Sequence, residues 1–254
     1  MEKFTIEQGK NSSRIFKAEG DLSKTNVEMY RQSPEFFADI IRKNLKPDKE
    51  YKIADLGCYG GELLQNIINL LPKYEFKTIG IDRKENLEKN KMTKNKIAAD
   101  LEQVPLEDKS VDVAIMRYVL QWNAKEKQEK ILTEVARIIK KFAVIQHVGA
   151  DNINPDLWRQ KVDRLLGGEI SKLKRVGYYY SSRDEIEDWM QKHNISFEKI
   201  QDRKIEDFHR VFSERWNFTN KEDKLAKQIL GDKNFVIQTS WLIHPQIEKK
   251  NKIY

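Results

Sequence analysis

The 254-residue chain is 39% hydrophobic and 34% charged, which fits a globular domain with a well-solvated surface and excludes collagen-like or disordered chains. Its 47 basic and 40 acidic residues leave a net charge of +7, but Lys and Glu alternate along most of the sequence, so solubility accounts for the charge better than a nucleic-acid stripe. No apolar run reaches the roughly 20 residues of a membrane helix, and the single cysteine, Cys58, excludes an internal disulfide and a Cys-rich zinc site.

Residues 1–32 are polar and without clear period. Ser33-Pro34-Glu35 predicts a helix start, with Ser33 as N-cap and Pro34 in the first helical position. Phe36, Phe37, Ile40 and Ile41 follow at helical spacing, and Pro47 ends the helix near Leu45. Tyr51–Leu56 reads as a buried strand that runs into a Gly-rich turn. Leu63, Leu64, Ile67, Ile68 and Leu71 mark a helix closed by Pro72. Phe76–Asp82, Lys96–Asp100 and Val111–Tyr118 are the next strands. Ile131, Leu132, Val135, Ile138 and Ile139 form one helical face, and Phe142–Val148 is a fifth strand. Asp151–Gly168 reads as an inserted helix over the mouth of the fold. Ser182-Arg183-Asp184-Glu185 is a capping box for a helix to about His193, stopped by Asn194 in place of the usual Gly. Ile195–Ile205 and Phe235–His244 are strand-like and predict an antiparallel pair at the sheet edge, with a helical stretch, Glu206–Leu230, between them. Strands alternating with helices predict one doubly wound, mostly parallel α/β domain, covered on both faces. With no apolar leader at the N-terminus, a cytoplasmic location is expected.

The most informative segment is Asp55-Leu56-Gly57-Cys58-Tyr59-Gly60-Gly61, where a strand turns into a helix. Glycine suits a tight reversal approached by a ligand, and the following helix offers free N–H groups. The dinucleotide pattern G-x-G-x-x-G fails, because Tyr59 and Glu62 occupy its second and third glycine positions. The pattern that fits is Asp-x-Gly-x-x-x-Gly, carried by Asp55, Gly57 and Gly61. Thr78-Ile79-Gly80-Ile81-Asp82 ends the second strand in an acid 25 residues past Gly57, where doubly wound folds place a carboxylate on ribose hydroxyls. Ala98-Ala99-Asp100-Leu101 precedes Val104-Pro105-Leu106-Glu107-Asp108 and the strand from Val111, and Met116-Arg117-Tyr118 ends that strand.

These four ordered signals resemble those of the class I S-adenosylmethionine-dependent methyltransferases, over about residues 34–148. The resemblance implies a seven-stranded, Rossmann-like sheet with an antiparallel edge strand and a helical insertion after strand five. It also implies a single domain, with residues 1–32 as a lid, 33–150 as the cofactor-binding half, and 151–254 as substrate-side insertion and final strands. S-adenosylmethionine is the implied cofactor, held by Asp55, Gly57, Tyr59, Gly61, Asp82, Arg83, Asp100, Leu101 and Arg117. Asp82 would take the ribose, Asp100 the adenine amino group and the Leu101 backbone the ring. Tyr59 departs from the family, which has Gly there.

Methyl transfer is an in-line displacement at a sulfonium carbon, so the protein chiefly aligns the partners. The acceptor should sit outside the carboxyl ends of strands four and five, where Tyr118 and His147 stand. His147 is either a general base, since His titrates near neutral pH, or a histidine satisfied by backbone at a strand end. Tyr118 either orients substrate or packs in the core. Arg117 faces the cofactor, an acidic substrate or a surface ion-pair partner. Tyr178-Tyr179-Tyr180 and Trp158 either form an aromatic lid or bury the insertion, and Phe16, Tyr30 and Arg31 belong to a segment that would fold over the cofactor. No acid and His cluster predicts a catalytic metal. Cys58 lies in the cofactor loop, which argues against Cys-dependent pyrimidine methylation, and Met116-Arg117-Tyr118 replaces the Asn-Pro-Pro-aromatic signature of adenine amino-methylating enzymes. The leading expectation is N- or O-methylation of a small molecule. The alternatives are an RNA or peptide methyltransferase and a non-catalytic cofactor-binding scaffold.

Overall fold

In the computed structural model, residues 33–149, 179–205 and 236–245 are described, together with isolated helical positions at 160, 220, 223, 224, 227 and 228. In chain order the elements are α1 (Ser33–Asn44), β1 (Glu50–Leu56), α2 (Glu62–Asn69), β2 (Glu75–Asp82), the one-turn α3 (Lys84–Leu87), β3 (Asn95–Ala98), β4 (Val111–Arg117), a 3₁₀ turn at Leu120–Trp122, α4 (Lys125–Ile138), β5 (Ile139–Gly149), α5 (Arg183–Lys192), β6 (Phe197–Ile205) and β7 (Val236–Ile243). The predicted helix Asp151–Gly168, the stretch Glu206–Leu230, Trp158, Tyr178 and the segment with Phe16, Tyr30 and Arg31 lie outside the described residues.

The seven strands form one sheet in the order β3-β2-β1-β4-β5-β7-β6. The first five are parallel, and β7 runs antiparallel to both β5 and β6. The chain therefore winds outward from β1 in two directions, and the reversal point lies between β1 and β4. That crevice, outside the carboxyl ends of the strands, is where such sheets bind ligands.

Side-chain alternation builds two cores. Ala54, Leu56, Ala114, Met116, Ala143 and Ile145 face α4 and α5, meeting Ile131, Leu132, Val135, Ile186 and Met190. Ile53, Val113, Ile115 and Val144 face α1 and α2, meeting Phe37, Ile41, Leu63, Leu64 and Ile67. Each central strand is apolar on both faces, as a covered parallel sheet requires. The capping box at Ser182 forms as read, with Ser182 Oγ accepting from the Glu185 N–H. Asn194 takes the left-handed conformation expected of a helix stop, with φ 54°. Strand β3 is shorter than predicted and ends at Ala98, which leaves Asp100 and Leu101 in the turn beyond it.

Candidate active site

The carboxyl ends of β1, β2 and β4 carry the candidate cofactor residues. Gly57 closes β1 with φ 75°, and its N–H donates to the Ile81 carbonyl at 2.8 Å. A Cβ there would lie 2.4 Å from Val119 Cγ2, so the loop and the turn after β4 touch backbone to side chain. Gly61 starts α2 with φ 86°. Between them Tyr59 takes φ 42°, the left-handed conformation glycine favours. The loop thus makes with Tyr59 a turn that glycine favours, and the Tyr59 ring leans toward Lys89, whose Nζ is 5.3 Å from the ring centroid.

Asp82 fixes this loop. Its Oδ2 accepts the Tyr59 N–H at 2.9 Å, and its Oδ1 accepts from the Arg83 N–H and Asn86 Nδ2 at 2.7 and 2.8 Å. A carboxylate has about four lone-pair directions, so Oδ2 still has room for a hydroxyl donor. Arg83 itself is exposed and its side chain pairs with Glu85. Asn90, absent from the sequence reading, is buried behind the loop. It donates to Cys58 Sγ and accepts from the Thr93 N–H, bracing the glycines from behind. Burial, first of all, pushes the Cys58 thiol far above its ordinary range, so it stays protonated.

Beside the loop stand Asp55 and Arg117. Asp55 is 2% exposed, and its Oδ2 has no hydrogen-bond partner among the described residues. Burial pushes its carboxyl up to about 7, opposed by the Arg117 guanidinium and assisted by Asp82 and Glu62. Arg117 Nη1 is likewise enclosed and without a partner there, and the guanidinium lies 5.9 Å from the Tyr118 ring centroid. Beyond β3, Asp100 is exposed with Lys127 Nζ 3.4 Å away, while Leu101 is buried.

The carboxyl ends of β4 and β5 are buried. Tyr118 leaves β4 with φ 55°, is 4% exposed, and donates its N–H to the Gln146 carbonyl. His147 is 1% exposed and stacks near Trp241, with ring centroids 6.4 Å apart. Its Nε2 lies 3.0 Å from the Ser181 carbonyl, and a nitrogen facing a carbonyl carries the proton. Burial lowers its pKa to about 4, so the ring is neutral at physiological pH. The Nε2–H contact with the main chain is the one the backbone-satisfied reading expects, while Nδ1, buried without a partner among the described residues, keeps the lone pair a base would use.

A buried amide network missed by the sequence reading holds this region. Gln128 Nε2 donates to the Asn123 and Tyr179 carbonyls, and its Oε1 accepts from Ser181 Oγ at 2.6 Å. The Tyr179 N–H donates to the Gln121 carbonyl at 3.2 Å. On the opposite sheet face, Gln146 accepts from Ser33 Oγ and donates to Ser240 Oγ. Tyr180 is buried, and Tyr179 is half-buried with its hydroxyl on Glu185, so both serve to seat the segment against the core. A lone Gln gives no sequence signal, because nothing local distinguishes it from a surface Gln.

These groups fit an adenosyl amino-acid cofactor. The glycines bring backbone close, Asp82 offers an acceptor for a sugar hydroxyl, and Asp55 Oδ2 and Arg117 Nη1 are enclosed without partners among the described residues. No group of acids, His and Cys suited to a metal occurs among the described residues, and no described helix is long and apolar enough to cross a membrane.

Comparison with known proteins agrees. Residues 54–145 match a family model described as a methyltransferase domain. No curated protein matches the sequence. Among solved structures, the YcgJ protein of Bacillus subtilis is similar at 16% identity and TM-score 0.62, covering 85% of this chain and 100% of its own. A SAM-dependent methyltransferase from Methanosarcina mazei is similar at 15% and 0.54, covering 82% and 98%. Loganic acid methyltransferase, solved with S-adenosylhomocysteine, is similar at 12% and 0.58, covering 94% and 97%.

Proposed function

We propose that the chain is a class I S-adenosylmethionine-dependent methyltransferase and that it methylates nitrogen or oxygen of a small molecule; the match of residues 54–145 to a methyltransferase domain and the shared fold support the first part. The supporting observation is enclosure at the carboxyl ends of β4 and β5. Tyr118, Leu120, His147 and Val148 are all at most 4% exposed, and the Tyr179–Ser182 segment is tied across them through Gln121 and Gln128. A long polymer needs an open groove, whereas strand ends buried in this way suit a modest acceptor.

When bound, S-adenosylmethionine supplies an activated methyl on a sulfonium. The chain's residues bind, orient and exclude water. In this reading Gly57, Tyr59 and Gly61 shape the loop, Asp82 takes the ribose, and Asp100 with Leu101 borders the adenine. His147 is a positioning residue that carries Ser181, and Tyr118 lines the acceptor side. No proton acceptor is then needed at the nucleophile. That suits an acceptor already in its nucleophilic form, a neutral amine or a carboxylate oxygen.

The test is transfer of radiolabelled methyl from S-adenosylmethionine into a whole-cell extract, separated into small-molecule, RNA and protein fractions. The label is expected among small molecules. Label in RNA or protein would overturn the substrate class and favour the polymer alternative, for which the exposed Lys84, Lys89, Lys91 and Lys94 beside β3 would be the contact surface.

A further inference from the structure

We propose that Gln238 and Ser240 on β7 form a recognition site for an uncharged group of the methyl acceptor that both donates and accepts hydrogen bonds, a hydroxyl or a carboxamide. This rests on the small-molecule reading and deepens it, naming the chemistry the acceptor carries apart from the atom that is methylated.

The placement follows from register. On the sheet face toward α1, the inner strands are apolar until their carboxyl ends and polar there. Ile53 gives way to Asp55 on β1, and Ile115 to Arg117 on β4. Val144 gives way to Gln146 on β5. The antiparallel β7 makes the same change at the same level, because Leu242 lies beside Val144, Ser240 beside Gln146 and Gln238 beside Val148. Residues two apart on a strand share a face, so these side chains form one polar belt across the mouth. The belt is charged at β1 and β4, and at β5 and β7 it holds only amides and hydroxyls.

Within that neutral end, two glutamines behave differently. Gln146 uses both ends of its amide: Oε1 accepts from Ser33 Oγ at 3.0 Å, and Nε2 donates to Ser240 Oγ at 3.4 Å. Gln238 is 3% exposed, and its Oε1 is buried with no partner among the described residues. A buried acceptor without a donor is costly, so a structural glutamine is ordinarily satisfied as Gln146 is. Ser240 is fully buried and accepts from Gln146, while its own hydroxyl hydrogen makes no bond to another described residue. Strand β7 therefore offers one acceptor and one donor, about 7 Å apart at their Cα atoms. The complementary group is uncharged and carries one of each. A carboxylate has no proton for Gln238 Oε1, and an ammonium has no lone pair for the Ser240 hydroxyl.

Position separates this handle from the methylated atom. Strand β7 is two strands from β4 in the sheet, which is about 10 Å at the usual strand spacing. The cofactor is not the occupant, because its loop lies at β1 and β2, on the far side of β4 from β7.

The experiment compares the native full chain with Gln238→Met, which keeps the volume but not the amide oxygen. The probes are radiolabelled S-adenosylmethionine and the small-molecule fraction of a cell extract. In Gln238→Met the extract concentration giving half-maximal transfer is expected to rise about ten-fold, with the maximal rate held within about two-fold. Affinity for S-adenosylhomocysteine, read by calorimetry, should not change. Denaturant unfolding gives a reading that needs no ligand. The Gln238→Met midpoint should hold or rise, because an unmatched acceptor is removed, whereas Gln146→Met loses two hydrogen bonds and should unfold at clearly lower denaturant. Mass spectrometry of the labelled native product should find a hydroxyl or carboxamide besides the methylated atom. A Gln238→Met midpoint that falls as far as that of Gln146→Met would overturn the site by making Gln238 a structural group. An unchanged half-maximal concentration would overturn it too, as would a product lacking both groups. Label found only in RNA or protein with the native chain would instead overturn the small-molecule reading on which the site rests.

Discussion

The two halves of the mouth are built on different principles. At the carboxyl ends of β1, β2 and β4 stand charged groups, Asp55, Asp82 and Arg117, with neutral Asn90 bracing the loop behind them. On the β5–β7 side the polar groups are neutral amides, hydroxyls and one imidazole, joined across long stretches of chain: Ser33 to Gln146, Gln128 to Ser181, His147 to Ser181. The first half keeps charge open toward a ligand, and the second spends most of its hydrogen bonds on itself. The difference separates two tasks. A charged ligand needs fixed countercharges, while in the proposed function the acceptor side needs shape and dryness.

The contrast is broken most severely at Gly57. Alanine there would place Cβ 2.4 Å from Val119 Cγ2 and demand φ 75° of a residue with a side chain. The left-handed conformation alone costs roughly 1–2 kcal/mol, and the clash pushes the loop off Val119. Gly57→Ala is expected to cut S-adenosylhomocysteine affinity by about two orders of magnitude, since a small misplacement at a site can cost that much. Adding Val119→Ala should restore part of it, because the collision goes but the dihedral strain stays. Full affinity in the single variant, measured by calorimetry, would show that the loop does not touch the ligand.

The acceptor half is tested at Gln128, which is fully buried. Leucine in its place removes three hydrogen bonds and leaves two carbonyls and the Ser181 hydroxyl without that partner. Stability should drop by about 3 kcal/mol, given 1–3 kcal/mol for a buried polar group left unsatisfied. Denaturant unfolding reads that loss, and S-adenosylhomocysteine affinity should hold within a factor of two. A large loss of cofactor affinity would mean the two halves are mechanically coupled, and the comparison drawn above would not stand.

This division also explains what was readable in advance. The turn after β1 and the acid that ends β2 were legible because their information is local. A glycine after an apolar strand, an acid at the next strand end and a Pro-containing loop before the fourth strand recur at fixed spacing, and each residue type is dictated by backbone geometry or charge. The succession of strands and helices along the chain to β5, and the apolar faces of the helices, followed from period alone. Asn90, Gln128, Gln146 and Ser33 were not legible, because their roles depend on partners such as Ser181, Ser240 and Cys58 that only the fold brings close. His147 shows the limit most clearly. Its position at the end of β5 was read from sequence, but its Nε2 contact with Ser181, 34 residues away, could not be.

The smallest expected effect concerns Tyr59, the one departure from the family in the cofactor loop. Its φ of 42° carries strain of roughly 1 kcal/mol for a residue with a side chain. The Asp82 carboxylate holds the conformation through the Tyr59 N–H at 2.9 Å. Tyr59→Gly removes the strain but adds freedom to the unfolded chain, worth about 0.5–1 kcal/mol in the opposite direction, and gives up the contact with Lys89. The terms nearly cancel, so unfolding free energy should move by less than about 1 kcal/mol and S-adenosylhomocysteine affinity should change little. A several-fold gain in affinity would mean that the Tyr59 ring obstructs the site. A several-fold loss would mean that the ring contacts the ligand, which would make the cofactor half depend on an aromatic surface as well as on backbone and charge.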